Sequence, residues 1–184
     1  PISKVDEEKQ AKIEELTAGF DKLFVNSFHS NGSEINDSIK KDSSKEYAYT
    51  GFISKAKQEG KYELNVSIPI INITSSVVDE MNRQIQNTFV NKTKSILTET
   101  TQKTVYNVEY VAYQNGDIFS LVIKSTLKEG ENPQRVIMQS YNYDIKNNAK
   151  VTLAQLLEKK QINVQTAQQV IRDTISKQAK DAQD

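Results

Sequence analysis

The chain has 184 residues, enough for one domain or two small interlocked ones, and a fold of that length buries roughly 70% of the surface its unfolded chain exposes. Twenty-four Lys plus Arg balance 24 Asp plus Glu, so no net field draws the chain to nucleic acid or to an anionic membrane. The lack of cysteine excludes a disulfide framework, a thiolate metal site and a redox nucleophile, and no run of about 18 apolar residues is present to span a bilayer.

Pro1 stands where an initiator Met would, which fits either a segment cut from a longer chain or a mature form from which a signal or anchor has been removed. Over residues 3–28 the apolar positions Val5, Ile13, Leu16, Phe20, Leu23, Phe24 and Phe28 recur at spacings of three and four, which predicts one helix with a single buried stripe. Ser3 and Asp6 give it a start resembling a capping box. Two readings of this helix stand open: a face laid on the domain's own sheet, or a stalk leaving a membrane anchor or pairing with another chain. Residues 30–46 are Ser, Asn, Asp and Lys with almost nothing apolar, and read as a mobile linker.

Two strands follow around a turn at Gln58, Glu59 and Gly60, with Tyr62, Leu64, Val66, Ile68 and Ile70 alternating onto one face. Pro69 lacks an amide donor and points to an edge position or a strand end. Residues 74–97 form the clearest helix, with Ser76 and Asp79 near its start and Val78, Met81, Ile85, Phe89 and Ile96 as its stripe. Asn82, Gln86, Asn91 and Lys94 are expected on its wet side.

Residues 104–127 read as a hairpin, with Asn115 and Gly116 taking the positive φ of a type I′ turn. Residues 135–145 supply another strand, after which Asn147 and Asn148 turn the chain toward Thr152, the N-cap of a short helix. A last helix over residues 163–179 would line up Val164, Ala167, Ile171 and Ile175. This order defines an α+β fold: a mostly antiparallel sheet with helices packed on one face, preceded by an N-terminal helix.

No residue cluster specifies a reaction. His29 is the only histidine, so neither a His-dependent triad nor a multi-His metal centre can be built within the chain, and its place between helix and linker reads as a solvated side chain. No glycine-rich phosphate loop is present. The oxygens of Asn142, Asp144, Asn147 and Asn148 lack the spacing of a calcium loop. No cofactor or metal is expected, and the chain reads as not an enzyme. Aromatic faces stack on sugars and anchor protein interfaces, which makes Tyr106 and Tyr110 on one strand face, and Tyr141 and Tyr143 on another, the partner-binding candidates; packing within the sheet is the competing reading.

Taken in order, KYELNVSIPII, the helix opening SSVVDEMNRQIQ, the hairpin with GDIFSLVIKSTL, and YNYDIKNNAKVTLAQLL resemble the PdaC-type, RsiV-like extracellular tandem module of Gram-positive cell-envelope proteins. The resemblance covers residues 61–176, and its most telling parts are Ile68-Pro69, Asn82, Ser120 and the corner from Tyr143-Asp144 to Thr152-Leu153. That family includes the N-terminal region of a peptidoglycan deacetylase and the lysozyme-binding part of an anti-sigma factor. It implies a non-catalytic extracytoplasmic domain that binds a protein such as a lysozyme, or a cell-wall glycan, held to the membrane only by an anchor outside this chain. The alternative it implies is an accessory domain of a peptidoglycan deacetylase whose catalytic domain lies elsewhere.

Two departures from the family stand out. Residues 129–136, EGENPQRV, replace a Gly-Gly-Ala-His-like stretch, and relatives continue with further strands past the equivalent of Asp184. The expected organisation is an N-terminal helix over 1–29, a polar linker over 30–46, a strand-helix-hairpin module over 47–128, and the start of a second module over 129–184.

Overall fold

The computed structural model of the chain describes residues 4–31, 37–159, 169–170, 172–173 and 176–177. The chain divides into two compact units, residues 1–23 with 151–184, and residues 24–150. The first holds α1 (Lys4–Asp21) and α4 (Leu153–Lys159). Thr152 caps α4 reciprocally with Gln155: the Thr152 hydroxyl accepts from the Gln155 amide at 3.2 Å, and the Gln155 side chain accepts from the Thr152 amide at 2.8 Å. The proposed cap at Ser3 and the stripe at Val164, Ala167, Ile171 and Ile175 lie outside the described residues.

The second unit is a sheet carrying one interrupted helix. Its strands are β1 (Ser27–Ser30), β2 (Ala48–Gln58), β3 (Tyr62–Ile71), β4 (Thr104–Asn115), β5 (Ile118–Glu129), β6 (Arg135–Asp144) and β7 (Ala149–Lys150). They form a seven-stranded sheet in the order β2-β3-β4-β5-β6-β7, with β1 pairing β4 off this path. Every pairing is antiparallel except those of β4 with β3 and with β1. The α+β expectation therefore holds.

A helical connection is what allows the parallel β3–β4 pair. It comprises α2 (Ser76–Ile85), a π-helical turn (Gln86–Val90) and α3 (Asn91–Glu99). Ser75, one residue before the expected cap, accepts from the amides of Val77 and Val78. Val78, Met81, Ile85, Phe89 and Ile96 are all buried against Leu64, Val66, Ile68, Tyr106 and Val108. Each such side chain contributes about 1.5–3 kcal/mol of transfer free energy, so the stripe holds the helix in place more than propensity does. The extra residue of the π turn lets Phe89 and Val90 both face inward, and the Thr93 hydroxyl then bonds the Phe89 carbonyl at 2.9 Å.

Several expectations are corrected. The N-terminal helix stops at Asp21, and Phe28 lies on β1 rather than on the helix stripe. Asn26 takes a left-handed φ of 49°, donates its amide to the Tyr110 carbonyl at 2.9 Å and accepts the Tyr110 amide on its side chain at 3.0 Å. It fills the rung of β4 between Val108, where β3 pairs last, and Val111, where β1 pairs first. Phe28 then stacks on Phe119 and meets Tyr47 edge-on, so tertiary aromatic packing overrides the helical spacing.

The C-terminal part of the expected linker, residues 42–46, is pinned. Asn72, only 1% exposed, accepts from the Asp42 amide and donates to the carbonyls of Asp42, Lys45 and Glu46. The hairpin turn sits one residue later than expected, because Asn115 pairs with Ile118 and Gly116-Asp117 form the loop, with φ of 59° at Gly116. On β3 the alternation fails after Ile68. Ile70 is 36% exposed and Ile71 fully buried, because Gly51 is an extra residue in β2 between the rungs Thr50–Pro69 and Phe52–Ile68.

Candidate functional site

The four candidate tyrosines lie inside the sheet. Tyr106, Tyr110, Tyr141 and Tyr143 are 3, 1, 7 and 2% exposed, and all belong to the hydrophobic core. Each hydroxyl has an internal partner: Ser125 for Tyr106, Thr50 at 2.6 Å for Tyr110, Gln139 at 2.6 Å for Tyr141, and the Asn148 side chain for Tyr143. Burial pushes the Tyr106 phenol up to about 12 and raises those of Tyr110 and Tyr141. These rings offer no face to a partner; packing with satisfied hydroxyls is their role.

The corner that carries much of the resemblance is likewise structural. Asp144 is 6% exposed and accepts from the amide and the side chain of Asn147 at 3.0 and 2.8 Å. Asn148 takes a φ of 50°, and its side-chain oxygen accepts from Ser75 at 2.6 Å and from Tyr143. The turn after β6 is thereby tied to the residue that caps α2. His29 is exposed on β1, bonded to the Ser27 hydroxyl at 2.8 Å and stacked on Tyr113 at 5.2 Å. Among the described residues no three His, Cys, Asp or Glu side chains converge on a metal position, and no helix is long and apolar enough to cross a membrane.

What the structure does form is a groove of about 540 Å³ between the β2–β3 pair and the α2-π-α3 connection. Its floor is apolar, from Phe52, Ile68, Pro69, Ile70, Ile85 and Val90, and its helical wall carries Asp79, Asn82, Arg83, Gln86 and Lys94. Gly51 opens the floor: a Cβ there would overlap the Ile70 side chain. Asn82, expected in water, instead sets the wall. Its amide accepts the Ile71 N–H and donates to the Ile71 carbonyl, both at 2.9 Å, behaving toward β3 as a strand backbone would.

The wall's charges are partly paired along its own side, Asp79 with Lys41 and Arg83 with Glu80. Lys94 is exposed and carries no ion pair among the described residues. Asp79 is the one carboxylate lining the groove among these residues, and an ion-paired carboxylate without a second acid or base offers no general acid–base pair. The arrangement is chemically a binding surface: apolar below, with amide and cationic donors at the lip.

The sequence reading missed this groove. Two of its signals were present, a glycine inside a strand and a proline opposite it, and in a strand both mark a bulge or a close approach. Arg83, Gln86 and Lys94 share a helix face by their spacing, but which side of that face looks over β2 and β3 is set only by the packing of the connection on the sheet.

No family model matches the chain, and no curated protein matches it. Among solved structures it is similar to a DUF3298 family protein from Pseudomonas aeruginosa PAO1, with a TM-score of 0.38 and 11% identity over 59% of this chain and 54% of that one. The chain thus spans about half the length of that protein. A DUF3298 family member from Bacteroides fragilis NCTC 9343 gives a TM-score of 0.30 at 11% identity, over 67% of this chain and 70% of that one. Likeness at this level defines neither a family nor a function.

Proposed function

We propose that the chain is a non-catalytic extracytoplasmic binding domain of the PdaC-type, RsiV-like kind, and that its groove holds the partner, a protein such as a lysozyme or a cell-wall glycan. The observation that carries this reading is the groove itself, an apolar floor bordered by Gln86, Arg83 and Lys94, with Asn82 already committed to the backbone. Such a surface suits a ligand with apolar patches and many acceptor oxygens, which N-acetylated sugar chains and extended protein loops both present. The sequence resemblance over residues 61–176 supplies the cell-envelope setting.

Calorimetric titration with soluble peptidoglycan fragments and, separately, with a lysozyme tests the reading. Binding by one of them should weaken about tenfold or more in the double variant Arg83→Glu, Lys94→Glu, whose sites are solvent-facing and leave the core intact. If neither partner binds the unmodified chain, the proposal is wrong. Binding that ignores the double variant removes the groove from it.

A further inference from the structure

The two edges of the sheet are built differently. At the β2 edge the Gly51 bulge interrupts the ladder, and the exposed lysines Lys55 and Lys57 stand along the strand. A bulge and charged side chains are the usual means of stopping an edge from pairing with another chain. The β6 edge has no bulge, and between Arg135 and Asp144 at its two ends it carries no charge. Its ladder with β5 runs without a register shift from Leu127–Arg135 to Ile118–Asp144. On the other side β7 covers only Tyr143 and Asp144, so among the described residues 135–142 carry an unpaired strand edge.

The side chains along that edge are apolar and outward. Val136, Ile137 and Met138 are 55, 48 and 48% exposed, followed by uncharged Gln139 and Ser140. Arg135, the one charge at the start of the strand, is turned back onto Glu129 of the same chain at 2.9 Å, and Glu129 also holds Lys92 at 3.3 Å. The edge therefore presents no charge that would select an oppositely charged partner or repel a copy of itself. With 24 acids against 24 bases, two copies also meet without net repulsion.

We propose that β6 is a self-pairing edge, on which residues 135–141 bond antiparallel to the same residues of a second copy across a two-fold axis at Met138. The direction follows from what is already built, and the axis at Met138 centres the pairing on the exposed apolar run. β7 runs antiparallel to β6 and ends at Lys150, so a strand continuing along the edge in that sense extends an existing ladder. An isologous contact makes each residue i meet residue 276 − i of the other copy, in other words Val136 meets Ser140 and Arg135 meets Tyr141 around Met138. Because side chains alternate along a strand, Val136 and Met138 of both copies then form one apolar patch on the same face. The pairing satisfies the backbone groups the edge leaves to solvent.

Sedimentation equilibrium over a range of chain concentrations, with three single-site variants, tests this. The unmodified chain should show a monomer–dimer equilibrium, and Met138→Lys, which puts two ammonium groups on the axis from an exposed position, should lose the dimer while keeping the circular dichroism and melting temperature of the parent. The chain has no cysteine, so Met138→Cys should form a disulfide-linked dimer under mild oxidation while Ile53→Cys, exposed on the β2 edge, does not. A chain that stays monomeric at every concentration overturns the proposal, whether the amides of residues 135–142 exchange freely or are covered from within the chain. So does a dimer that persists in Met138→Lys, or equal cross-linking of the two cysteine variants.

Discussion

Replacing Asn82 by Ala removes a side chain that completes the free flank of β3. Both of its bonds to Ile71 are 2.9 Å long, and Ile71 is fully buried, so water cannot take over the donor or the acceptor. A buried N–H left unsatisfied costs about 1–3 kcal/mol, and an orphaned carbonyl somewhat less because it has two lone pairs. The expected loss is about 2 kcal/mol, which for a chain of this size lowers the melting temperature by about 4–8 °C. Urea unfolding gives the free energy, and hydrogen exchange at the Ile71 amide reads the bond directly. Asn82→Asp refines the test. Its carboxylate still accepts from the Ile71 amide but faces the Ile71 carbonyl with a negative oxygen. Its stability should therefore recover as pH falls and the protonated acid can donate. A loss under about 0.5 kcal/mol with the Ile71 amide still protected would refute the idea that Asn82 acts as a surrogate strand.

Asn148→Ala should destabilise by about 2 kcal/mol or more, losing the acceptor shared by Ser75 and Tyr143 and exchanging Asn for a residue that tolerates φ 50° less well, whereas Asn148→Gly should lose less because glycine adopts that φ freely and only the bonds go. Gly51→Ala should close part of the groove by displacing Ile70, weakening partner binding severalfold while shifting stability by only about 1 kcal/mol, as read by titration and melting together. Alkaline pH should unfold the protein through Tyr106. Its unfolded phenol ionises near 10 while burial holds the folded one to about 12, so only the unfolded state releases a proton between these values and stability falls as pH rises through that window. That one group contributes up to about 2–3 kcal/mol of the loss, and Tyr106→Phe should flatten the fall of the melting temperature between pH 10 and 12.

Much of the fold was legible because local pattern and tertiary environment agree there. The β2–β3 and β4–β5 hairpins, the stripe from Val78 to Ile96 and the Thr152 cap follow from periodicity and turn chemistry alone. β1 was not legible. SFHS has no strand pattern and becomes a strand because β4 has an empty flank beyond Val108 and because Asn26 leads the chain onto it. The tyrosines were placed correctly on their strand faces, but which face would be covered depends on a helix arriving from another part of the chain. Asn82 illustrates the same limit: helical spacing assigns it to water, and only the departure of β3 from β4 after Val66 gives its amide a backbone to bond.

Several departures from regular geometry gather in one place. The extra residue at Gly51, the donor-less Pro69, the outward side chain of Ile70 and the π turn at Gln86–Val90 all border the same groove. Each has a cost relative to an uninterrupted strand or helix, since a bulge breaks the ladder and a π turn weakens the hydrogen-bond pattern of the helix. Ile71, fully buried, fills the core position that strict alternation would give to Ile70, and the helix packs on it in that form. Deleting Gly51, so that β2 and β3 pair without a shift, should abolish partner binding in a chain that still folds, as read by titration beside the melting curve. A deletion that instead unfolds the chain would assign the bulge to the fold and not to the site.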